Sequence, residues 1–326
     1  MTPEAGHRGV TTSSNDGDVA TKETSFFERP EHHAAVCEGV AAGVLPLKFA
    51  YAGSAARTHD RLSREESYQS VTGAGALACK ALLDLGHPLP RRIAEIGPGN
   101  GRHSIAVLTQ VAGSAPAGVD YLALDYSESL MSRAQLNFAH DLPAVNFVPK
   151  QWDVETGPTS GIRDWRGADS GPLPVLFLGN TLGNLEDPVS ALEHVLRSTE
   201  PGDTLVLGVT LPDESEEATE APYHNEVFRS AALEPLLALG LDERLLHLDV
   251  WYDAPTHCVK GVVRLGAAVL INDIEFPAGH EVRCFLSRRF SVDGVRGLLR
   301  LAGWDPVAEY ADPMAGHAVL TAVRPR

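Results

Sequence analysis

The hydrophobic pattern of this chain changes rhythm twice. From Pro30 to His87 it is helical, with apolar positions such as Leu77, Leu82, Leu83 and Leu85. Beyond that, short apolar runs alternate with amphipathic ones. "RRIAEIG", "VDYLALD", "VNFVPKQWD", "PVLFLG" and "DTLVLGVT" predict five strands, and "GRHSIAVLTQVA", "SESLMSRAQLNFAHD" and "DPVSALEHVLRSTE" predict helices among them. Strands spaced by helices of this length build a parallel sheet with helices on both faces, an α/β fold. After Thr210 the alternation stops. An acidic loop and a helix lead into three strand-like runs, "LLHLDVWYD", "THCVKGVVRLG" and "AVLINDIEF". Then come "EVRCFLSRRF", a helix in "SVDGVRGLLRLAGW" and a last strand, "GHAVLTAVR".

This pattern predicts four parts. Residues 1–26 are polar, small and aperiodic and read as a disordered tail. Residues 27–87 form a helical segment. Residues 88–210 together with 287–326 form the α/β core. Residues 211–286 form an inserted α+β module, rich in antiparallel strands, that would sit above the carboxyl edge of the sheet as a lid or substrate module.

Composition narrows the partners. Among 326 residues, Lys plus Arg is 27 and Asp plus Glu is 43, a net charge of −16. That balance argues against a nucleic-acid backbone or an anionic membrane and is compatible with a cationic small molecule. No run approaches the ~20 apolar residues of a membrane span. The first residues lack an apolar signal core, so a cytoplasmic location is expected. Cys37, Cys79, Cys258 and Cys284 are scattered without paired spacing, which predicts reduced thiols and no metal site.

Candidate chemistry begins at "AEIGPGNG", where Glu95 ends a strand and Gly97, Gly99 and Gly101 precede a helix. Glycines there allow a tight turn and close approach of a ligand. A nicotinamide fingerprint would need a third glycine where Arg102 stands. An acid followed by GxGxG is instead the usual pattern of Rossmann-like methyltransferases that bind S-adenosylmethionine. Asp125 ends the second strand and can accept from both ribose hydroxyls. Asp153 ends the third and can accept from the adenine amine, with Val154 near the ring. Gly179, ending the fourth strand, is expected close to the cofactor.

That strand ends in "VLFLGNTLGN", which closely resembles "FLGSTIGN" of the histidine-specific methyltransferase family, best known for making trimethylated histidine on the ergothioneine pathway. "LKFAYAG", "PYHNEVFRSAALEPLLALG", "DVWYD" and "FPAGHEVRCFLSRRFSVDGVRGLLRLAGW" support the resemblance, which runs from about Lys48 to the C-terminus. It implies a Rossmann-like class I methyltransferase sheet, S-adenosylmethionine as methyl donor, and an amino-acid substrate held by its amino and carboxylate groups. It assigns Asn184 to the substrate amine, Tyr223 to the carboxylate and Tyr51 to closing the site. Tyr68 is a second aromatic candidate near Tyr51, and Ser287 falls at a substrate-contact position. Asn180, where the family has serine, is read as a turn residue.

The pattern also departs from the family. Where its histidine-binding members carry a glutamate that pairs with imidazole, this chain has Phe285. A pocket methionine aligns with either Lys260 or Gly261, since a shift of one residue reverses the facing of a strand. The lysine after the glycine loop is replaced by His103, read as a helix-surface residue. The expected activity is therefore N-methylation of a free amino acid or close derivative other than histidine. The alternatives are guanidino methylation of free L-arginine and, less favoured, histidine Nα-methylation. A guanidine acceptor would need carboxylates to orient it. The candidates are Glu65, Glu66, Asp213, Glu214, Glu216 and Glu217.

Overall fold

The computed structural model describes residues 29–64, 74–85, 91–112, 118–168, 171–213 and 215–326. The expected tail, Tyr68, Glu65, Glu66 and Glu214 lie outside them. The N-terminal segment comprises α1 (Pro30–Ala42), a 3-10 turn (Leu47–Tyr51), α2 (Ala55–Leu62) and α3 (Gly75–Asp84). The core then alternates β1 (Arg92–Ile96), α4 (Arg102–Ala112), β2 (Asp120–Asp125), α5 (Glu128–Asp141), β3 (Asn146–Gln151), α6 (Gly161–Arg166), β4 (Pro174–Phe177), α7 (Pro188–Ser198) and β5 (Thr204–Thr210). The chain returns to this sheet through α10 (Val292–Leu301), β11 (Asp305–Asp312) and β12 (His317–Val323).

These strands form one seven-stranded sheet in the order β11-β12-β5-β4-β1-β2-β3. β1 to β5 are parallel, and β12 and β11 close the edge antiparallel. Burial explains why the central strands are continuously apolar. In β4, Val175 and Phe177 face one helical layer, with Ile162, Leu192 and Leu299, while Leu176 faces the other, with Leu82, Leu108 and Phe138. Alternate residues point to opposite faces, and both faces are covered. Strand order reverses between β1 and β4, so the crevice beyond their carboxyl ends is where an open α/β sheet binds ligands.

Between β5 and α10 lies a second body: α8 (Glu216–Glu220), α9 (Glu226–Ala238), β6 (Leu246–Asp253), β7 (Cys258–Leu265), the hairpin β8 (Val269–Ile271) and β9 (Ile274–Phe276), and β10 (Glu281–Arg288). β10, β7 and β6 form an antiparallel sheet. It shares a core with α1, the 3-10 turn and α9, including Val36, Val40, Phe49, Leu233 and Leu236. β10 continues through Ser287 and Arg288, two residues past the boundary drawn from the sequence.

Three elements depart from the sequence reading. "AVLINDIEF" is a hairpin, because Asn272 and Asp273 both adopt positive φ (47° and 61°), the conformation of a two-residue hairpin turn. α6 is a short helix in a stretch assigned no element. β11 was missed because it is a polar edge strand: Asp305, Ala308, Glu309 and Asp312 are exposed, leaving little apolar alternation.

Candidate active site

The crevice at the strand reversal is a cleft of about 1170 Å³, counting its open mouth. The ends of β1, β2 and β4, the turn after β3 and the N-terminal segment line it. Glu95, Gly97, Gly99, Asp125, Asp153, Val154, Gly179, Asn184 and Tyr51 all border it.

Gly97, Gly99 and Gly101 hold positive φ (67°, 58° and 77°), which disfavours any side chain there. A Cβ at Gly97 would lie 2.8 Å from Thr181, and one at Gly101 would lie 2.8 Å from the Phe138 ring. A Cβ at Gly99 would meet nothing within 4 Å. Gly101 therefore packs the loop, and Gly99 leaves its backbone open to the cleft.

The strand-end acids differ in environment. Glu95 is buried and accepts from the Tyr121 hydroxyl at 2.6 Å; burial pushes its carboxyl up to about 7. Asp125 accepts from the backbone N–H of Gly99 at 2.9 Å and of Ser127 at 2.8 Å, and burial raises it too. With Tyr126, three backbone N–H groups act on this carboxylate, whose four lone pairs leave room for one further donor. Asp153 accepts from Lys48 Nζ at 2.7 Å and from the Glu155 N–H at 3.0 Å. Lys48 also lies 3.3 Å from Glu155 and 5.5 Å from the centre of the Tyr126 ring. Lys48 has no role in the sequence pattern; its position in the 3-10 turn brings the N-terminal segment onto the end of β3.

The 180–184 turn divides its amides between two tasks. Asn180 (φ 58°) is buried; its Oδ1 accepts from Thr210 N–H at 3.1 Å, and its Nδ2 donates to Ser287 Oγ at 3.2 Å and Arg288 O at 3.1 Å. It binds the chain together. Asn184 faces the cleft, its Nδ2 donating to the Tyr51 hydroxyl at 3.3 Å. Its Oδ1 has no partner among the described residues and can accept an N–H from a ligand. The Tyr51 ring packs on His59 at 4.5 Å, and burial lowers that imidazole to about 4.

Tyr223, Phe285 and Ser287 come together, but behind the cleft rather than along its lining. The Phe285 ring lies 5.0 Å from Tyr223 and 4.7 Å from Phe228, closing an apolar wall. Ser287 is 3.3 Å from the Tyr223 hydroxyl. Arg289, which the sequence reading passed over, donates to both hydroxyls. Register settles the choice on β7: Gly261 pairs with Phe285, and a Cβ on it would lie 2.9 Å from Phe285 Cβ, so Gly261 faces that wall. Lys260 pairs with Asp253.

His103 is a correction. It lines the cleft instead of the helix surface, its Nε2 is buried without a hydrogen-bond partner, and burial lowers it to about 4. The start of α4 turns this ring inward beneath Gly75 of α3, which helical periodicity alone could not reveal. The loop acids Asp213, Glu216 and Glu217 are exposed and outside the lining. Among the described residues, no group of three or more His, Cys, Asp or Glu could hold a metal ion, and no helix is long and apolar enough to cross a membrane.

Known proteins place the chain at the level of family. The model of the family "Histidine-specific methyltransferase, SAM-dependent" matches residues 76–324. The histidine N-alpha-methyltransferase of Mycolicibacterium smegmatis is 23% identical over 300 residues, covering 86% of this chain and 90% of that one. A trans-aconitate 2-methyltransferase of Acidovorax sp. (strain JS42) is 28% identical over 188 residues, 56% of this chain; the match spans 62% of that relative's length. Among solved structures, magnesium protoporphyrin IX methyltransferase from Synechocystis PCC 6803 with bound S-adenosylhomocysteine has a TM-score of 0.45 at 12% identity, covering 84% of this chain and 96% of that one. The open backbone at Gly99 and the accepting capacity left on Asp125 fit the ribose of S-adenosylmethionine.

Proposed function

We propose that this chain, which belongs to the family of histidine-specific, S-adenosylmethionine-dependent methyltransferases, methylates a nitrogen of a free amino acid other than histidine. The observation that carries the reading is Asn184, with its Oδ1 unpartnered in the cleft and its Nδ2 held by Tyr51.

The cofactor's sulfonium supplies an electrophilic methyl group. The protein's task is to present a neutral nitrogen in line with it, at about 3 Å. Asn184 Oδ1 accepts one N–H of the acceptor amine and so aims its lone pair. An uncharged amide does this without favouring the protonated ammonium, as a carboxylate would. Tyr51 fixes the amide and covers the site. An α-amine can lose its proton to bulk water beforehand, so no strong base is required. Well-aligned systems gain ~7–11 kcal/mol from positioning of this kind.

Phe285 supports an acceptor other than histidine, because the wall it forms with Tyr223 and Phe228 offers no carboxylate to an imidazole. Guanidino methylation of L-arginine has less support. The acids lining the cleft already have partners: Glu95 has Tyr121, Asp125 has backbone N–H groups, and Asp153 and Glu155 share Lys48.

The test is incubation with S-adenosylmethionine and each proteinogenic amino acid separately, read by mass spectrometry. A gain of one methyl mass on an amino acid other than histidine is expected. Trimethylated histidine as the main product, or no methylated amino acid, would contradict the reading.

A further inference from the structure

Asn100, inside the glycine loop, faces the end of α2. Its Nδ2 carries two hydrogens, and both go to that helix: one to Asp60 Oδ1 and one to Ser63 Oγ, each at 2.8 Å. Ser63 Oγ donates in turn to the Asp60 carbonyl at 2.9 Å, which closes the cycle. The remaining polar atoms of Asn100 hold the loop. Its Oδ1 accepts from the Arg102 N–H at 3.2 Å, and its carbonyl accepts from Asn137 of α5 at 2.9 Å. Asp60 and Asn100 are both buried. Arg64, 2.6 Å from Asp60 Oδ2, and Arg133 of α5, at 4.0 Å, supply the positive charge that a buried carboxylate needs. A flipped Asn100 amide would set oxygen against that carboxylate, so the charge of Asp60 fixes its orientation.

The same helix reaches the acceptor side of the cleft. His59, adjacent to Asp60, borders the cleft, and its ring packs on Tyr51 at 4.5 Å. Tyr51 accepts from Asn184 Nδ2. Successive residues of α2 thus touch the Tyr51–Asn184 pair and the cofactor loop. The apolar packing of α2 lies elsewhere: Leu62 joins the core of the second body, with Phe228 and Leu233. Apolar contact is non-directional, whereas a hydrogen bond to a carboxylate is short and directional. The Asp60–Asn100 bond therefore sets where α2 sits relative to the glycine loop.

We propose that Asp60 is a positioning residue: through Asn100 it ties α2 to the glycine loop, so that S-adenosylmethionine in the loop steadies Tyr51 and, with it, the Asn184 amide. Its link to turnover rests on the reading of Asn184 above; the tie between loop and helix does not. A ligand that orders one partner of such a bond lowers the cost of ordering the other.

The test is amide hydrogen exchange on the full chain, with and without saturating S-adenosylhomocysteine. In the unaltered protein this ligand is expected to slow exchange in the glycine loop and also across residues 49–62, because exchange reports local opening. In Asp60→Ala the loop should stay protected, while the ligand-dependent protection of 49–62 drops about 10-fold, the worth of one hydrogen bond to a charged group. For an accepted amino acid, kcat should fall about 10-fold or more, with KM for S-adenosylmethionine within about threefold. Asn100→Asp sets two carboxylates together and should lose the same protection. Adding Asp60→Asn to it rebuilds an amide–carboxylate pair with the roles exchanged and should restore it. Should Asp60→Ala fail to fold, this exchange of partners decides alone. The proposal is overturned if 49–62 gains no protection in the unaltered chain, if Asp60→Ala keeps that protection or keeps full kcat without it, or if the exchanged pair fails to recover it. If no amino acid is methylated, the amino-acid reading fails, and the exchange measurements still decide the role of Asp60.

Discussion

Asn184 Nδ2 donates to the phenolic oxygen of Tyr51 at 3.3 Å, joining the turn after β4 to the 3-10 turn of the N-terminal segment across 133 positions of sequence. The bond fixes which end of the amide faces the cleft. With the N–H₂ end engaged, the oxygen is left to accept from a ligand, which in the proposed reaction is the acceptor amine.

Asn184→Ala is therefore expected to lose about 100-fold or more in kcat, since small errors of placement at the reacting nitrogen cost that much. Affinity for S-adenosylhomocysteine, measured by calorimetry, should stay within about threefold. An equal loss of both would mean that Asn184 serves the fold and not the acceptor.

Lys48 links the same 3-10 turn to Asp153 and Glu155. Lys48→Met leaves those two carboxylates facing each other without their cation and loosens the turn that carries Tyr51. A loss of about 1–3 kcal/mol in stability by urea titration is expected, because the pair is largely buried. Turnover should fall with it. Unchanged stability would show that the pair is no more than a surface contact.

The glycine loop predicts a contrast between neighbours. Gly101→Ala forces a side chain into left-handed backbone and drives it against the Phe138 ring at 2.8 Å, so about 2 kcal/mol or more of stability should be lost. Gly99→Ala meets no protein atom, so its cost should be the backbone strain alone, about 1 kcal/mol. Its methyl group narrows the cleft, and S-adenosylhomocysteine affinity should fall more than stability does. Thermal melts and calorimetry on the two variants separate these effects.

Stability should also carry a pH signature of Glu95. Its carboxyl rises from 4.5 to about 7 in the fold, chiefly through burial. Between those values the native state keeps a proton that the unfolded chain has released, so this group's contribution is present below pH 4.5 and is lost as pH rises toward 7. The difference amounts to about 3 kcal/mol. His59 and His103, lowered to about 4 by burial, act in the opposite sense, losing stability as pH falls from 6.5. The Glu95 contribution is isolated by comparing Glu95→Gln with the parent chain: the parent's advantage should shrink steadily from pH 4.5 to 7. A constant difference would mean that Glu95 is ionised across that range.

The parallel core was legible because its burial is two-sided and its strands are therefore continuously apolar. Glu95, Asp125 and Asp153 were legible because topology places acids at strand ends beside the glycine loop. Polar edge strand β11 was not, since half-exposed positions erase the alternation. Nor was His103, whose inward rotation depends on α3 packing over it. Lys48 and Arg289 escaped for a different reason. A basic residue reads as solvated surface until tertiary contacts reveal what it lies against, here Asp153 in one case and two uncharged hydroxyls in the other. The hairpin at Asn272–Asp273 was hidden inside an apolar run that also fits a single strand.

The central claim is that the site methylates an amino acid that is not histidine, with Phe285 in place of an imidazole-binding acid. The most direct measurement is the ratio of kcat/KM for L-histidine to that for the best other amino acid under the same S-adenosylmethionine concentration. A ratio below about one in 100 is expected, because an apolar wall leaves the imidazole nitrogens unpaired. A ratio near or above one would contradict the account and return histidine as the acceptor.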